Sequence, residues 1–232
     1  MRFLILAALV FIGCAHTPTD SSAATVADRV AESKGAVLRL EGNVLNCSAF
    51  HIGRGILISA AHCDDPLARI VGSGMIVRDH SGGTQPATVL VTDRDKDLMV
   101  LRVAAIPAAK LDLEANHAAN LEGDPVVAIG FPSYIGGIAF FDVGFYKGLT
   151  RWQDRVLALV SDASAVGYSG GPIINVRTGK VLAVQHMLGN RFDKLDPTRP
   201  EMTNHHWLAL AVLSNDVLNL LAQHQIEYGA QR

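Results

Sequence analysis

Gly167-Tyr168-Ser169-Gly170-Gly171-Pro172 sets one hydroxyl among small residues, and the run Ile173-Ile174-Asn175-Val176 that follows reads as a strand. Glycine bends a chain at no steric cost, so this stretch displays Ser169 on a tight turn while Gly170 and Gly171 lead the chain away behind it. A serine hydroxyl is a poor nucleophile near neutrality and needs a base to accept its proton as it attacks. Two distant segments supply the partners. Ser59-Ala60-Ala61-His62-Cys63 carries an imidazole, whose ordinary pKa of about 6.5 lets it take up and return a proton. Asp97 directly precedes the apolar run Leu98-Met99-Val100-Leu101, where a strand would hold a carboxylate rigidly enough to fix the imidazole tautomer. Asp93 and Asp95 are its rivals. Ser169 is thus the candidate nucleophile, His62 the base and then the acid, and Asp97 the orienting group. The Gly167 and Ser169 N–H groups are the candidate oxyanion hole.

Working outward, the chain is punctuated by Gly, Pro, Asn and Asp into short β-rich runs at residues 36–40, 55–59, 88–91 and 98–103. After a crossover at residues 104–123, further runs follow at 125–130, 140–146, 155–161, 173–176, 181–186 and 207–213. That rhythm predicts barrels or sandwiches rather than helices alternating with a parallel sheet. Helical spacing is confined to residues 26–33 and 216–223, the latter with Ser214 or Asn215 as its cap.

The order His62, Asp97, Ser169 and three longer stretches resemble trypsin-like serine proteases of the chymotrypsin fold, and among them the HtrA-type protease domain. The stretches are Gly123-Asp124-Pro125-Val126-Val127-Ala128-Ile129-Gly130-Phe131-Pro132, the segment from Ser161-Asp162-Ala163 to Pro172, and the segment from Leu208 to Leu218. The resemblance covers roughly residues 35–223. It implies an all-β fold of two six-stranded antiparallel β-barrels with a short C-terminal helix and the active site in the cleft between them. It also implies polypeptide substrates and no cofactor or metal. Domain limits follow as residues 1–13 for a signal peptide, 14–34 for a polar tether, 35–110 for the first barrel and 111–232 for the second barrel and its helix. By the same resemblance Ala163 forms the base of the primary substrate pocket, and Gln185, His186 and Met187 form its wall. An uncharged Ala163 implies cleavage after small or medium apolar residues. Tyr168 stands where relatives activated from zymogens have an aspartate, which implies no activation by cleavage at the start of the barrel.

Two other functions fit parts of the pattern. Residues 167–171 also satisfy Gly-x-Ser-x-Gly, the elbow of α/β-hydrolases, but that fold needs its acid and histidine after the serine, here Asp193 or Asp196 and His205 or His206. A catalytically silent protease fold would be a binding module at the cell envelope.

The N-terminus and the cysteines point to export. Arg2 and the apolar run from Phe3 to Ile12 read as the start of a secretory signal peptide, too short to span a bilayer. Phe11-Ile12-Gly13-Cys14 resembles a bacterial lipobox, which implies lipidation of Cys14 and a membrane anchor; ordinary signal-peptidase cleavage nearby is the alternative. Of three cysteines, this leaves Cys47 and Cys63 for one disulfide, which requires an oxidising compartment. The expected location is therefore the bacterial cell envelope. A formal net charge of -2 without a basic tract excludes nucleic acid as an evident partner. The nine histidines form no metal-ligand motif.

Overall fold

The computed structural model describes residues 23–41, 46–64, 75–105, 107–133, 137–161, 165–188 and 208–229, with the side chains of residues 187 and 188 outside that description. The first six strands are β1 (Val37–Glu41), β2 (Asn46–Gly53), β3 (Ile56–Ser59), β4 (Met75–Arg78), β5 (Thr84–Asp93) and β6 (Leu98–Val103). They close into a barrel in the order β1-β2-β3-β6-β5-β4. The next six are β7 (Pro125–Gly130), β8 (Phe140–Trp152), β9 (Arg155–Ser161), β10 (Pro172–Asn175), β11 (Val181–Leu188) and β12 (Leu208–Leu213). They close in the order β10-β11-β12-β9-β8-β7. All pairings within the two barrels are antiparallel. The architecture is the expected chymotrypsin-like one, and it rules out the parallel sheet that an α/β-hydrolase elbow requires.

The apolar runs are continuous because many strands are buried on both faces. Along β6, Met99 and Leu101 point into the first barrel with Leu38, Leu40 and Leu57. Leu98 and Val100 point the other way, into a shared core with Val127 and Ile129 of β7 and Leu210 and Val212 of β12. Val126 and Ala128 of β7 and Ala211 of β12 face the interior of the second barrel with Tyr146 and Val160. Side chains alternate across a strand, so one sequence run fills a barrel and also glues the two barrels together. The two barrels therefore meet across a buried apolar seam.

Two helices flank the barrels. Helix α1 (Val26–Ser33) opens with a capping box, in which the Asp28 N–H donates to Thr25 Oγ1 at 3.2 Å and the Thr25 N–H donates to Asp28 Oδ2 at 2.8 Å. Its Val26 and Val30 pack on the shared core, so this part of the expected tether is docked rather than free. Helix α2 (Ser214–Gln223) buries Val217, Leu220 and Leu221 in the same core. Neither Ser214 nor Asn215 caps it, contrary to expectation. The N-cap is Leu213 without a side-chain bond, because the Ser214 hydroxyl donates instead to the Val181 carbonyl. Among the described residues no helix is long and apolar enough to cross a membrane.

Cys47 of β2 is bonded to Cys63, just beyond β3, over a separation of 16 residues. Closing a loop of that size stabilises the fold by about 3 kcal/mol, chiefly by constraining the unfolded chain. The paired substitution Cys47→Ser/Cys63→Ser is expected to lower the free energy of urea unfolding by about that amount, with circular dichroism of the folded state unchanged. An unfolding midpoint equal to that of the wild type would show that the bridge contributes nothing.

Candidate active site

His62 sits in a single helical turn (Ala61–Cys63) directly after β3. Asp97 ends the turn that leads into β6, with φ at +56°, a left-handed conformation that aspartate tolerates better than most residues. From there it grips the His62 turn at three points. Its carbonyl accepts from the Ala61 N–H at 3.2 Å, its Oδ1 accepts from the His62 N–H at 2.7 Å, and its Oδ2 lies 2.7 Å from His62 Nδ1. The pairing assigns Nδ1–H to His62 and leaves Nε2 free to accept a proton. The rival aspartates are placed elsewhere. Asp93 Oδ1 accepts from the Lys96 N–H at 2.9 Å, and Asp95 is exposed. Burial pushes the Asp97 carboxyl up, but hydrogen bonds from His186 and His62 outweigh it and hold the carboxyl well below the usual carboxylate range. Asp97 is therefore ionised throughout the neutral range.

Ser169 lies half-buried on the turn before β10, and the two barrels meet there. The Ser48 N–H of β2 donates to Ser169 O at 2.8 Å. Cys63 Sγ lies 3.8 Å from the same oxygen, a packing contact because that sulfur is in the disulfide. Gly170 has φ at +81°, and a Cβ there would fall 2.2 Å from Ser59 Oγ and 2.7 Å from Ala60 N. Only glycine lets the serine turn press against the residues that lead into His62. No hydrogen bond joins Ser169 Oγ to His62 among the described residues, and pairs of this kind commonly tighten only when substrate is bound.

The Gly167 and Ser169 N–H groups have no acceptor among the described residues, as an oxyanion hole requires before substrate enters. Gly167 has φ at +103°, and a Cβ there would meet Phe131 O at 2.3 Å. A residue that sequence reasoning missed helps to lock this loop. The buried Ser48 hydroxyl donates to Gly167 O at 2.8 Å and accepts from the Phe131 N–H at 3.0 Å. It thereby ties the first barrel to the Gly167 turn and to the loop that begins at Phe131. Only its place beside Cys47 hinted at a role.

The expected pocket residues fare unequally. Ala163 and the side chain of Met187 lie outside the described residues, as do Cys14, Asp193, Asp196, His205 and His206. Gln185 is buried, and its backbone braces the serine turn, with the Gly170 N–H donating to Gln185 O at 2.8 Å and the Gln185 N–H donating to Gly171 O at 2.9 Å. His186 is turned onto Asp97, its Nδ1 hydrogen-bonded to Oδ2. An open cleft of ≈ 920 Å³ runs past His62, Asp97 and His186 between the turn at Arg94 and Asp95 and the hairpin at Trp152, Asp154 and Arg155.

His62, Asp97 and His186 also form a donor set suited to a divalent ion, with ligand atoms within 4.8 Å of one another. The 2.7 Å between His62 Nδ1 and Asp97 Oδ2 is a direct hydrogen bond, whereas two ligands on one zinc stand about 3.2 Å apart. As arranged, both imidazoles bond the Asp97 carboxylate. Cys47 and Cys63, close to His62 as well, are oxidised and offer no thiolate.

The family model of the trypsin-like peptidase domain matches residues 47–184, a span that contains His62, Asp97 and Ser169. Among solved structures, the chain is similar to the active form of the Rv3671c protease from M. tuberculosis, with 19% identity and a TM-score of 0.69 over 88% of this chain and 86% of that one. The inactive form of the Rv3671c protease gives 22% identity and a TM-score of 0.64 over 84% and 91%. The serine endoprotease from Yersinia pestis gives 17% identity and a TM-score of 0.66 over 84% of this chain and 65% of that one. At these identities the likeness is one of fold. No curated protein matches the sequence.

Proposed function

The chain belongs to the trypsin-like peptidase family, a family of serine endopeptidases, and on that premise we propose that it is an exported endopeptidase that works through an acyl-enzyme at Ser169. The observation that carries this reading is the three-point hold of Asp97 on the His62 turn, against which the Ser169 turn is pressed. Ser169 Oγ attacks the scissile carbonyl while its proton passes to His62 Nε2. Asp97, bonded to Nδ1, stabilises the resulting imidazolium. The carbonyl oxygen gains negative charge and is received by the Gly167 and Ser169 N–H groups. His62 then protonates the departing amine, and water repeats the sequence to release the acid. A silent binding module would be expected to lack a triad member or an oxyanion glycine, and this chain has them all.

The primary pocket is assigned to Ala163 at its base, with Gln185, His186 and Met187 on its wall; the engagement of His186 with Asp97 turns its Nδ1 away from substrate. Export is supported by the signal-like N-terminus and the disulfide, and Cys14 is the proposed point of lipid attachment to the envelope membrane. Digestion of a proteome-derived peptide library by the purified protein is expected to give cleavage after small or medium apolar residues. A profile dominated by Arg, Lys or Glu at the cleaved position would refute the pocket assignment, and a library left intact would count against the protease reading.

A further inference from the structure

Beyond the peptidase reading, we propose that the outer face of β8 docks on an anionic lipid bilayer, seating the domain on the membrane to which the proposed Cys14 anchor ties it. Side chains alternate along a strand, and the outward positions of β8 are Phe141, Val143, Phe145, Lys147, Leu149 and Arg151, all exposed. The inward positions include Gly144, Tyr146 and Gly148, all buried. An antiparallel strand with one face in water ordinarily reads apolar inward and polar outward. Here the outward face carries large apolar groups, with Phe141 at 48%, Phe145 at 46% and Leu149 at 45% exposure. Val156 of β9, exposed and paired with Arg151 in the hairpin, widens the patch. An apolar face of this kind marks an interaction surface.

Two observations select a bilayer as its occupant. The first is charge. Both charged groups at the outward positions are cations, and Lys147 stands among the apolar residues, its Nζ 5.4 Å from the centre of the Phe145 ring. The nearby carboxylates belong to the inward side, Asp142 by alternation and Glu122 by its place against Gly148. Protein interfaces are short of lysine at their centre, whereas apolar side chains mixed with Lys and Arg suit the boundary between acyl chains and anionic headgroups. The second is the route of the chain. Arg29 Nε of α1 donates to the Val176 carbonyl at 2.9 Å, the Val176 N–H donates to the Pro125 carbonyl at 3.0 Å, and Pro125 pairs with Phe145. Helix α1 therefore joins the domain close to the patch. With the anchor at Cys14, the chain from there to Thr25 reaches at most about 40 Å. A surface tethered that close to a bilayer needs little affinity of its own to stay on it.

The test is co-sedimentation with lipid vesicles, using the processed chain from residue 14 with Cys14→Ser so that no acyl group is attached. This chain is expected to pellet with vesicles of equal parts phosphatidylethanolamine and phosphatidylglycerol, less so at high salt, and far less with phosphatidylcholine alone. Adding Phe141→Thr/Phe145→Thr is expected to weaken the partition roughly tenfold. Adding Lys147→Gln/Arg151→Gln instead is expected to weaken it about twentyfold, on the anionic vesicles only. The four side chains are exposed and none lines the catalytic cleft, so circular dichroism and fluorophosphonate labelling of Ser169 should be the same in every form. Labelling tests the peptidase reading and vesicle binding tests this one, each without the other. A chain that stays in solution beside anionic vesicles, that binds both lipid compositions equally, or that binds as well without the two phenylalanines would overturn the proposal. So would sedimentation velocity showing a dimer or larger assembly that the phenylalanine substitutions disperse, since the face would then belong to a second copy.

Discussion

Ser169→Ala is expected to lower kcat by on the order of 10⁶-fold, to the residue of rate that binding and an oxyanion hole supply without a nucleophile. The substitution removes one oxygen from a half-buried turn, and that oxygen makes no hydrogen bond to His62 among the described residues. The turn itself is held by backbone contacts, from the Ser48 N–H to Ser169 O and from the Gly170 N–H to Gln185 O. The thermal midpoint should therefore stay within about 2 °C of the wild type, as for a change that disturbs no packing. Activity of the variant within tenfold of the wild type would remove Ser169 from the chemistry.

Asp97→Asn should cost about 10⁴-fold in kcat. The amide has nearly the shape of the carboxylate, so the grip on the Ala61 and His62 N–H groups survives in outline. The NH₂ group, however, donates where the carboxylate accepted. Facing His62 Nδ1, it selects the tautomer that carries its proton on Nε2, and that nitrogen then cannot take the proton of Ser169. The same exchange removes the charge that stabilises the imidazolium. It also changes acid stability in a definite direction. The Asp97 carboxyl is depressed in the folded protein, so its contribution is present above the unfolded value of about 3.9 and is lost as the pH falls below it. Asp97→Asn should remove that part of the acid sensitivity. A kcat within tenfold of the wild type, measured on folded protein, would contradict the role given to the carboxylate.

The sequence showed most of what chemistry demands and little of what only the assembled barrels create. The nucleophile turn was readable because Gly170 and Gly171 answer to backbone geometry, and His62 because a serine needs a base. Strand β6 was readable from its apolar run, and its faces were not, since one lines a barrel and the other the seam. Strand β2 escaped notice because Ser48 and His51 interrupt its apolar character while being buried. Both are satisfied only by distant partners. Ser48 bonds Gly167, 119 residues away, and His51 Nδ1 meets the Ala109 carbonyl, 58 residues away. Strand β4 has four residues with only one face buried, too short a pattern to register. Asp97 was expected directly before a strand and stands there, but its left-handed conformation, which aims both carboxylate oxygens at His62, has no mark in the sequence. His186 was read as pocket wall alone, because an irregularity between Gln185 and Met187 leaves no mark in local periodicity.

Peptide mapping by mass spectrometry after reaction of the purified protein with a fluorophosphonate tests the joint action of Ser169, His62 and Asp97 most directly. One adduct per molecule on Ser169, formed by the wild type and not by His62→Ala, is the outcome expected. An adduct on another residue, or labelling of Ser169 at an equal rate without His62, would contradict it.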